Sequence, residues 1–223
     1  MEPKEMMHYV DHTQLKAFAT WEDIKKLCEE AIKYGTASVC IPPCYIRRVH
    51  EASKDRVNIC TVVGFPLGYS VTAAKVAEVR QALADGANEI DMVINISDVK
   101  NGDMDKVEKE IAALKQETGD KILKVIIETC YFTEEEKISL CKAVTNAGAD
   151  FIKTSTGFGT GGATLEDIRL FKKNIGPGVR IKAAGGVRSL EDLEQFIREG
   201  CVRVGTSSAV SLLKKQEAGE QKK

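Results

Sequence analysis

Histidine is scarce in this chain of 223 residues: His8, His12 and His50 are the whole set. His8 and His12 stand close in sequence, but no third ligand accompanies them, which argues against a metal-dependent centre. The seven cysteines form no CxxC pair, and Cys40 and Cys44, which flank Pro42-Pro43, lack a further Cys or His at metal-ligand spacing. An odd, scattered set fits a reducing, cytoplasmic setting in which buried thiols behave as small hydrophobes. No run of about 18 apolar residues exists, and the N-terminal MEPKEMMHYVDH is polar, so neither a membrane span nor a signal peptide is expected. Excess charge is missing too. With 32 basic and 33 acidic residues the net charge is −1, so no global field recruits nucleic acid or an anionic membrane. The short pairs Arg47-Arg48 and Lys172-Lys173 read as solvated helix faces. No GxSxG is present to suggest a serine hydrolase.

What the chain does have is alternation. Short β-type runs recur at His8–Asp11, Ser38–Ile41, Asn58–Val63, Glu89–Asn95, Ile122–Glu128, Phe151–Thr154, Arg180–Ala183 and Arg203–Gly205. The runs from Glu89 and Ile122 are rich in Val and Ile without strict alternation, as parallel strands buried on both faces require. Between the runs lie helices with readable ends. Thr133 with Glu136 spells a capping box, and Ser189–Asp192, Thr164–Asp167 and Thr20–Asp23 are close relatives of it. Gly35, Gly86, Gly148 and Gly200 stand where helices stop. Eight βα units in this length predict a single-domain (β/α)8 barrel over residues 1–213, with an open doubly wound sheet as the alternative. The charged stretch 214–223 reads as a frayed tail.

Chemistry concentrates at the predicted strand ends. Lys153 closes the run DFIK ahead of a hydroxyl- and glycine-rich loop, STGFGTGG. A lysine there is either a solvated strand-end residue or a nucleophile whose ammonium is easily deprotonated. Lys182, in RIKAAGG, supplies a second strand-end lysine, and two ammonium groups held close cannot both stay charged cheaply. Asp91 sits in the apolar run Ile90–Ile94, where a carboxylate needs a partner. Two glycine-containing turns, Gly185-Gly186-Val187-Arg188 and Gly205-Thr206-Ser207-Ser208, follow the last two strands and suit a phosphate. Gly157, Gly159 and Gly162 match GxGxxG by spacing. However, Phe171–Leu190 holds no acidic residue for a ribose, so a dinucleotide site is not expected.

Together DFIKTSTGF, KAAGGVR, EIDMVIN, LKVIIET, TVVGFPLG and GTSS resemble, in this order, the deoxyribose-phosphate aldolases of the short bacterial type, from about Tyr9 to Leu213. The resemblance implies a class I aldolase on a (β/α)8 barrel that needs no metal and no cofactor. Such an enzyme reversibly splits 2-deoxy-D-ribose 5-phosphate into D-glyceraldehyde 3-phosphate and acetaldehyde. It further implies Lys153 as Schiff-base nucleophile, Lys182 as tuning and proton-transfer partner, and Asp91 as proton relay. Gly157, Gly185, Gly186, Ser207 and Ser208 would hold phosphate, and Asp11, Thr13, Cys40, Lys124 and Thr156 would line the pocket. The small-molecule partners would be the phosphosugar and acetaldehyde, in a cytoplasmic homodimer. The one departure is Ala209 after GTSS, where many relatives carry glycine. Cys40, near a strand end, would be exposed to reactive aldehydes. Two other readings remain open at this point. One is a phosphosugar isomerase or epimerase with Asp91 and Glu128 as bases; the other is a phosphate-ligand binding protein without turnover.

Overall fold

Every residue of Ile59–Val63 and Glu89–Val93 is buried, so these runs can only be strands covered on both faces. They belong to a closed barrel of parallel strands, β1 (Val10–Thr13), β2 (Ser38–Ile41), β3 (Ile59–Val63), β4 (Glu89–Val93), β5 (Ile122–Ile126), β6 (Phe151–Lys153), β7 (Arg180–Ala184) and β8 (Arg203–Thr206). The computed structural model describes residues 1–220. β1 pairs with β8 through Asp11 and Gly205, and that closure decides between the barrel and the open sheet.

Local sequence explains the covering helices. Trp21–Tyr34 buries Ile24, Leu27, Cys28 and Ala31, the one-face spacing of an amphipathic helix. Burying a side chain such as Leu27 contributes about 1.5–3 kcal/mol. Thr20 starts this helix by accepting from the Asp23 amide at 3.3 Å, while the Asp23 carboxylate accepts from the Thr20 amide at 2.8 Å. Gly35 stops it at φ 66°, in the left-handed region that side chains rarely adopt. Reciprocal capping boxes also form at Thr133–Glu136 and Ser189–Asp192. Thr164 caps one way only, because the Asp167 carboxylate turns to Lys137 at 2.7 Å.

Several boundaries differ from the sequence reading. Met7–Tyr9 form a 3-10 turn, so the first strand starts at Val10 and not at His8. β4 stops at Val93 because the Asn95 side chain caps the helix Ile96–Lys100. β5 stops at Ile126, ahead of Glu128 with φ 58°. The last helix, Ala209–Glu220, takes in residues 214–220 of the expected frayed tail; the remainder of that tail lies outside the described residues.

The main apolar core lies between the outer faces of the strands and the helices. The barrel interior is different. It holds a small apolar cluster of Cys40, Cys60 and Val62, and beside it a buried set of charged side chains. Barrel interiors are ordinarily filled by layers of branched aliphatic residues, so this substitution marks where the chemistry sits. No helix among the described residues is long and apolar enough to cross a membrane.

Candidate active site

Strand register assembles the charged interior. Asp91 on β4 stands across from Lys124 on β5, Lys153 on β6 from Lys182 on β7, and Lys182 from Arg203 on β8. Side chains alternate along a strand, so these residues share the inward face. Asp91 is the hub and is fully buried. Its Oδ2 accepts from Lys153 Nζ at 2.6 Å and from Lys182 Nζ at 2.7 Å. Its Oδ1 accepts from Lys124 Nζ at 2.9 Å and from Cys60 Sγ at 3.1 Å. Asp11 meets Lys182 at 2.5 Å and Arg203 at 2.6 Å, and Glu89 meets Lys124 at 2.5 Å and Arg203 at 2.8 Å.

The protonation states follow from this geometry. Burial pushes the Asp91 carboxyl up, but Lys124, Lys153 and Lys182 together overcome it and hold the group well below the usual carboxylate range. Asp11 is likewise held down by Lys182, Lys124 and Arg203 against its burial. Burial alone would neutralise Lys182, yet Asp11 and Asp91 outweigh it and raise its pKa far above the ordinary lysine value. Lys124 is raised in the same way, chiefly by Asp91 among its partners. Lys182 is thus a firmly held cation, fixed on the same oxygen as Lys153.

Above this cluster opens a cleft of about 270 Å³ at the C-terminal ends of the strands, lined among others by Thr13, Lys153, Thr156, Gly157 and Ser207. Of the three lysines, Lys153 alone reaches its wall. Gly185 and Gly186 line the cleft from the turn after β7, both with positive φ. Ser208 does not line it; its hydroxyl donates to the Val187 carbonyl at 3.2 Å and ties the last two turns together. Of the GxGxxG glycines, Gly159 and Gly162 serve packing: a Cβ would lie 3.0 Å from the Glu128 carboxyl at Gly159 and 2.5 Å from the Gly185 carbonyl oxygen at Gly162.

Three residues expected to line the pocket are instead sealed away from it. Asp11 and Lys124 are wholly buried in the charged cluster, and Cys40 is 1% exposed. Cys40 is registered against Cys60 on β3, which draws the Cys40 thiol pKa down, but burial keeps Cys40 from the expected contact with free aldehydes. Thr13 and Thr156 do line the cleft. His8 and His12 part company, His8 facing the Gly35 carbonyl and His12 facing Glu30. The ligand atoms of Cys40, Cys60 and Asp91 lie within 4.8 Å of one another, but ammonium groups already occupy both Asp91 oxygens.

Sequence reasoning missed two contributors and the part played by a third. Arg203 and Cys60 sit in short strands where they read as a solvated charge and a small hydrophobe. Glu128 enters that reading only as a base of the alternative isomerase. It adopts a left-handed backbone (φ 58°), and its buried carboxylate accepts from the Thr156 amide at 3.2 Å and from the Thr156 hydroxyl. Burial raises the Glu128 pKa against those hydrogen bonds. A strained acid that grips the loop next to a pocket lysine is a mark of a functional position.

A closed parallel barrel whose cleft reaches one lysine of a buried network of carboxylates and cations has the construction of an aldolase. The family model described as DeoC/LacD family aldolase matches residues 5–216, and the chain belongs to that family. It is 71% identical over 217 residues to deoxyribose-phosphate aldolase of Clostridium botulinum (strain Alaska E43 / Type E3), covering 97% of this chain and 98% of the relative. It is 58% identical over 214 residues to the protein of that name from Clostridioides difficile (strain 630), covering 96% and 98%. Among solved structures, deoxyribose phosphate aldolase from Aeropyrum pernix, described as tetrameric, superposes with a TM-score of 0.88 at 31% identity, over 97% of this chain and 92% of that one.

Proposed function

We propose that this chain reversibly cleaves 2-deoxy-D-ribose 5-phosphate to D-glyceraldehyde 3-phosphate and acetaldehyde, through a Schiff base on Lys153. The observation that carries the reading is the placement of Lys153, the single clustered lysine on the cleft wall. The relatives' shared name supplies the substrate.

The amine of Lys153, once neutral, adds to the aldehyde carbon C1, and loss of water leaves an iminium. Removal of the proton from the C3 hydroxyl then breaks the C2–C3 bond. Its electron pair moves into the iminium to give an enamine, so no metal is needed to stabilise a carbanion. Asp91 and Lys182, hydrogen-bonded to each other beside Lys153, form the relay that takes the hydroxyl proton and returns a proton to C2. Hydrolysis frees acetaldehyde and restores the lysine. At the far end Gly157, Gly185, Gly186 and Ser207 present backbone N–H groups and a hydroxyl to the phosphate, with Ser208 bracing the turn. Anchoring the phosphate away from the reacting bond positions the substrate. Family resemblance supports a cytoplasmic homodimer acting in deoxyribonucleoside catabolism, and light scattering in solution tests the dimer.

The test of the chemistry is intact mass and peptide mapping after incubation with acetaldehyde and sodium borohydride. One ethyl group on Lys153 is the expected result. An ethyl group on Lys182 would exchange the two lysine roles. No adduct in folded protein would favour the isomerase reading, with Asp91 and Glu128 as bases.

A further inference from the structure

The interior cluster has a charge surplus. Four cations (Lys124, Lys153, Lys182 and Arg203) meet three carboxylates (Asp11, Glu89 and Asp91) in a continuous network. Its connectivity is uneven. Lys124 meets Asp91, Glu89 and, at 3.8 Å, Asp11; Lys182 meets Asp11 and Asp91, and Arg203 meets Asp11 and Glu89. Among the described residues Lys153 meets Asp91 alone, and shares it with two other ammonium groups. Arg203 enters from the opposite end of β8 to the cleft, with 14% of its side chain exposed. It cannot be deprotonated under ordinary conditions, so its charge is permanent.

We infer that Arg203 is a positioning residue that selects Lys153 as the amine that gives up its proton. Its charge creates the surplus of one, and its two ion pairs occupy Asp11 and Glu89. With Cys40 and Cys60 held as neutral thiols, the cluster therefore balances only when one lysine is neutral. The least-compensated lysine, and the one open to solvent through the cleft, is Lys153. Without Arg203 the remaining three lysines match three carboxylates, and a protonated Lys153 is no longer in excess. The inference rests on Lys153 being the nucleophile.

Other groups face Lys153 as well, and they do not supply the surplus. Cys60 is driven up by burial and stays a neutral donor to Asp91. Cys40 lies near Asp91, Lys182 and Lys153 with its pKa drawn down by Cys60, and it can contribute only negative charge. Glu128, beyond the end of β5, feels Lys153 but spends its oxygens on Thr156.

The experiment is the pH profile of kcat/KM, with borohydride trapping of acetaldehyde, for the wild type, Arg203→Met, Arg203→Lys and Glu89→Gln. Arg203→Met should move the acidic limb to higher pH by about one unit, a roughly tenfold slower trapping rate at neutral pH that recovers in alkali. Arg203→Lys, which keeps the charge, should restore most of the wild-type profile. Glu89→Gln enlarges the surplus and should move the limb the other way, which keeps the test decisive if Arg203→Met fails to fold. A limb unmoved in Arg203→Met and Glu89→Gln, or a loss of rate equal at every pH, overturns the inference. Mapping the trapped adduct in the wild type separates the two readings: an adduct on Lys153 with unmoved limbs refutes only the role of Arg203, whereas no adduct refutes the nucleophile itself.

Discussion

Replacing Asp91 with asparagine removes one of three carboxylates that face four cations, and its cost can be worked out in two ways. Asp91 touches Lys124, Lys153, Lys182 and Cys60, all at hydrogen-bond distance and all away from solvent. Removing one partner of a buried ion pair typically costs about 3–5 kcal/mol, because a charge is left uncompensated. The protein can escape by stripping a proton from one ammonium, and for a lysine of ordinary pKa near 10.4 that costs about 4.6 kcal/mol at about pH 7. The two estimates agree, so Asp91→Asn should lose about 3–5 kcal/mol at neutral pH. For a chain of this size that is a fall in Tm of about 6–20 °C. The pH dependence has a definite sign on each side. Asp91 has a folded pKa below its unfolded value, so its contribution is present above the ordinary carboxylate range and is lost as pH falls through the folded value. The gap between wild type and variant therefore narrows in acid. It narrows again in alkali, as the surplus ammonium of the variant releases its proton without penalty. Calorimetry near about pH 3, pH 7 and pH 9.5 gives the curve, the acid point lying below the unfolded carboxylate pKa of about 3.9 where the contribution has begun to be lost. A variant within about 2 °C of wild type at neutral pH, or a deficit flat across that range, would refute the reasoning.

Two further substitutions probe other parts of the fold. Lys75 and Glu110 form a buried pair at 2.9 Å behind the β3 and β4 loops; Lys75→Met alone should cost about 3–5 kcal/mol, while Lys75→Met with Glu110→Gln should recover most of it in urea unfolding. A double variant no more stable than the worse single one would contradict that account. Gly162→Ala places a methyl 2.5 Å from the Gly185 carbonyl oxygen and must part the Lys153 loop from the β7 turn. An overpacking cost of about 1–3 kcal/mol predicts at least a fivefold rise in KM for the phosphorylated substrate, and an unchanged KM would show that the two loops do not hold phosphate together.

The barrel was legible because its strands are short apolar runs and its helices carry their own punctuation. Thr20, Thr133 and Ser189 cap the starts they announce, and Gly35 ends a helix where only a left-handed residue can. Where the boundaries slipped, polar residues were the cause. His12 and Thr13 belong to β1 because His12 finds Glu30 outside the barrel while Thr13 faces the cleft, and neither partner is visible from sequence neighbours. The same logic divides the site. Lys153, Lys182 and Asp91 stood out because a charge within an apolar strand demands a partner. Lys75 did not, since a lysine on a helix reads as solvated, yet it is fully buried and its stem packs where a Cβ on Gly64 would go.

Arg203 escaped notice for a deeper reason. It is the first residue of its strand, at the end far from the chemistry, where a charge ordinarily reaches solvent. Its importance lies in a count, not in a motif: once Asp11, Glu89 and Asp91 are known to share one interior with Lys124, Lys153 and Lys182, charge neutrality leaves no reason for any lysine to be an amine. Such a cluster would fold well and react poorly. A fourth cation that cannot lose its own proton converts a balanced salt-bridge network into one that is relaxed only when a lysine is neutral, and the connectivity directs that neutrality to the cleft. The cost of burying so many charges is then the cost of making one amine reactive. The placement of Arg203 on the wall away from substrate lets it do this without touching the reaction.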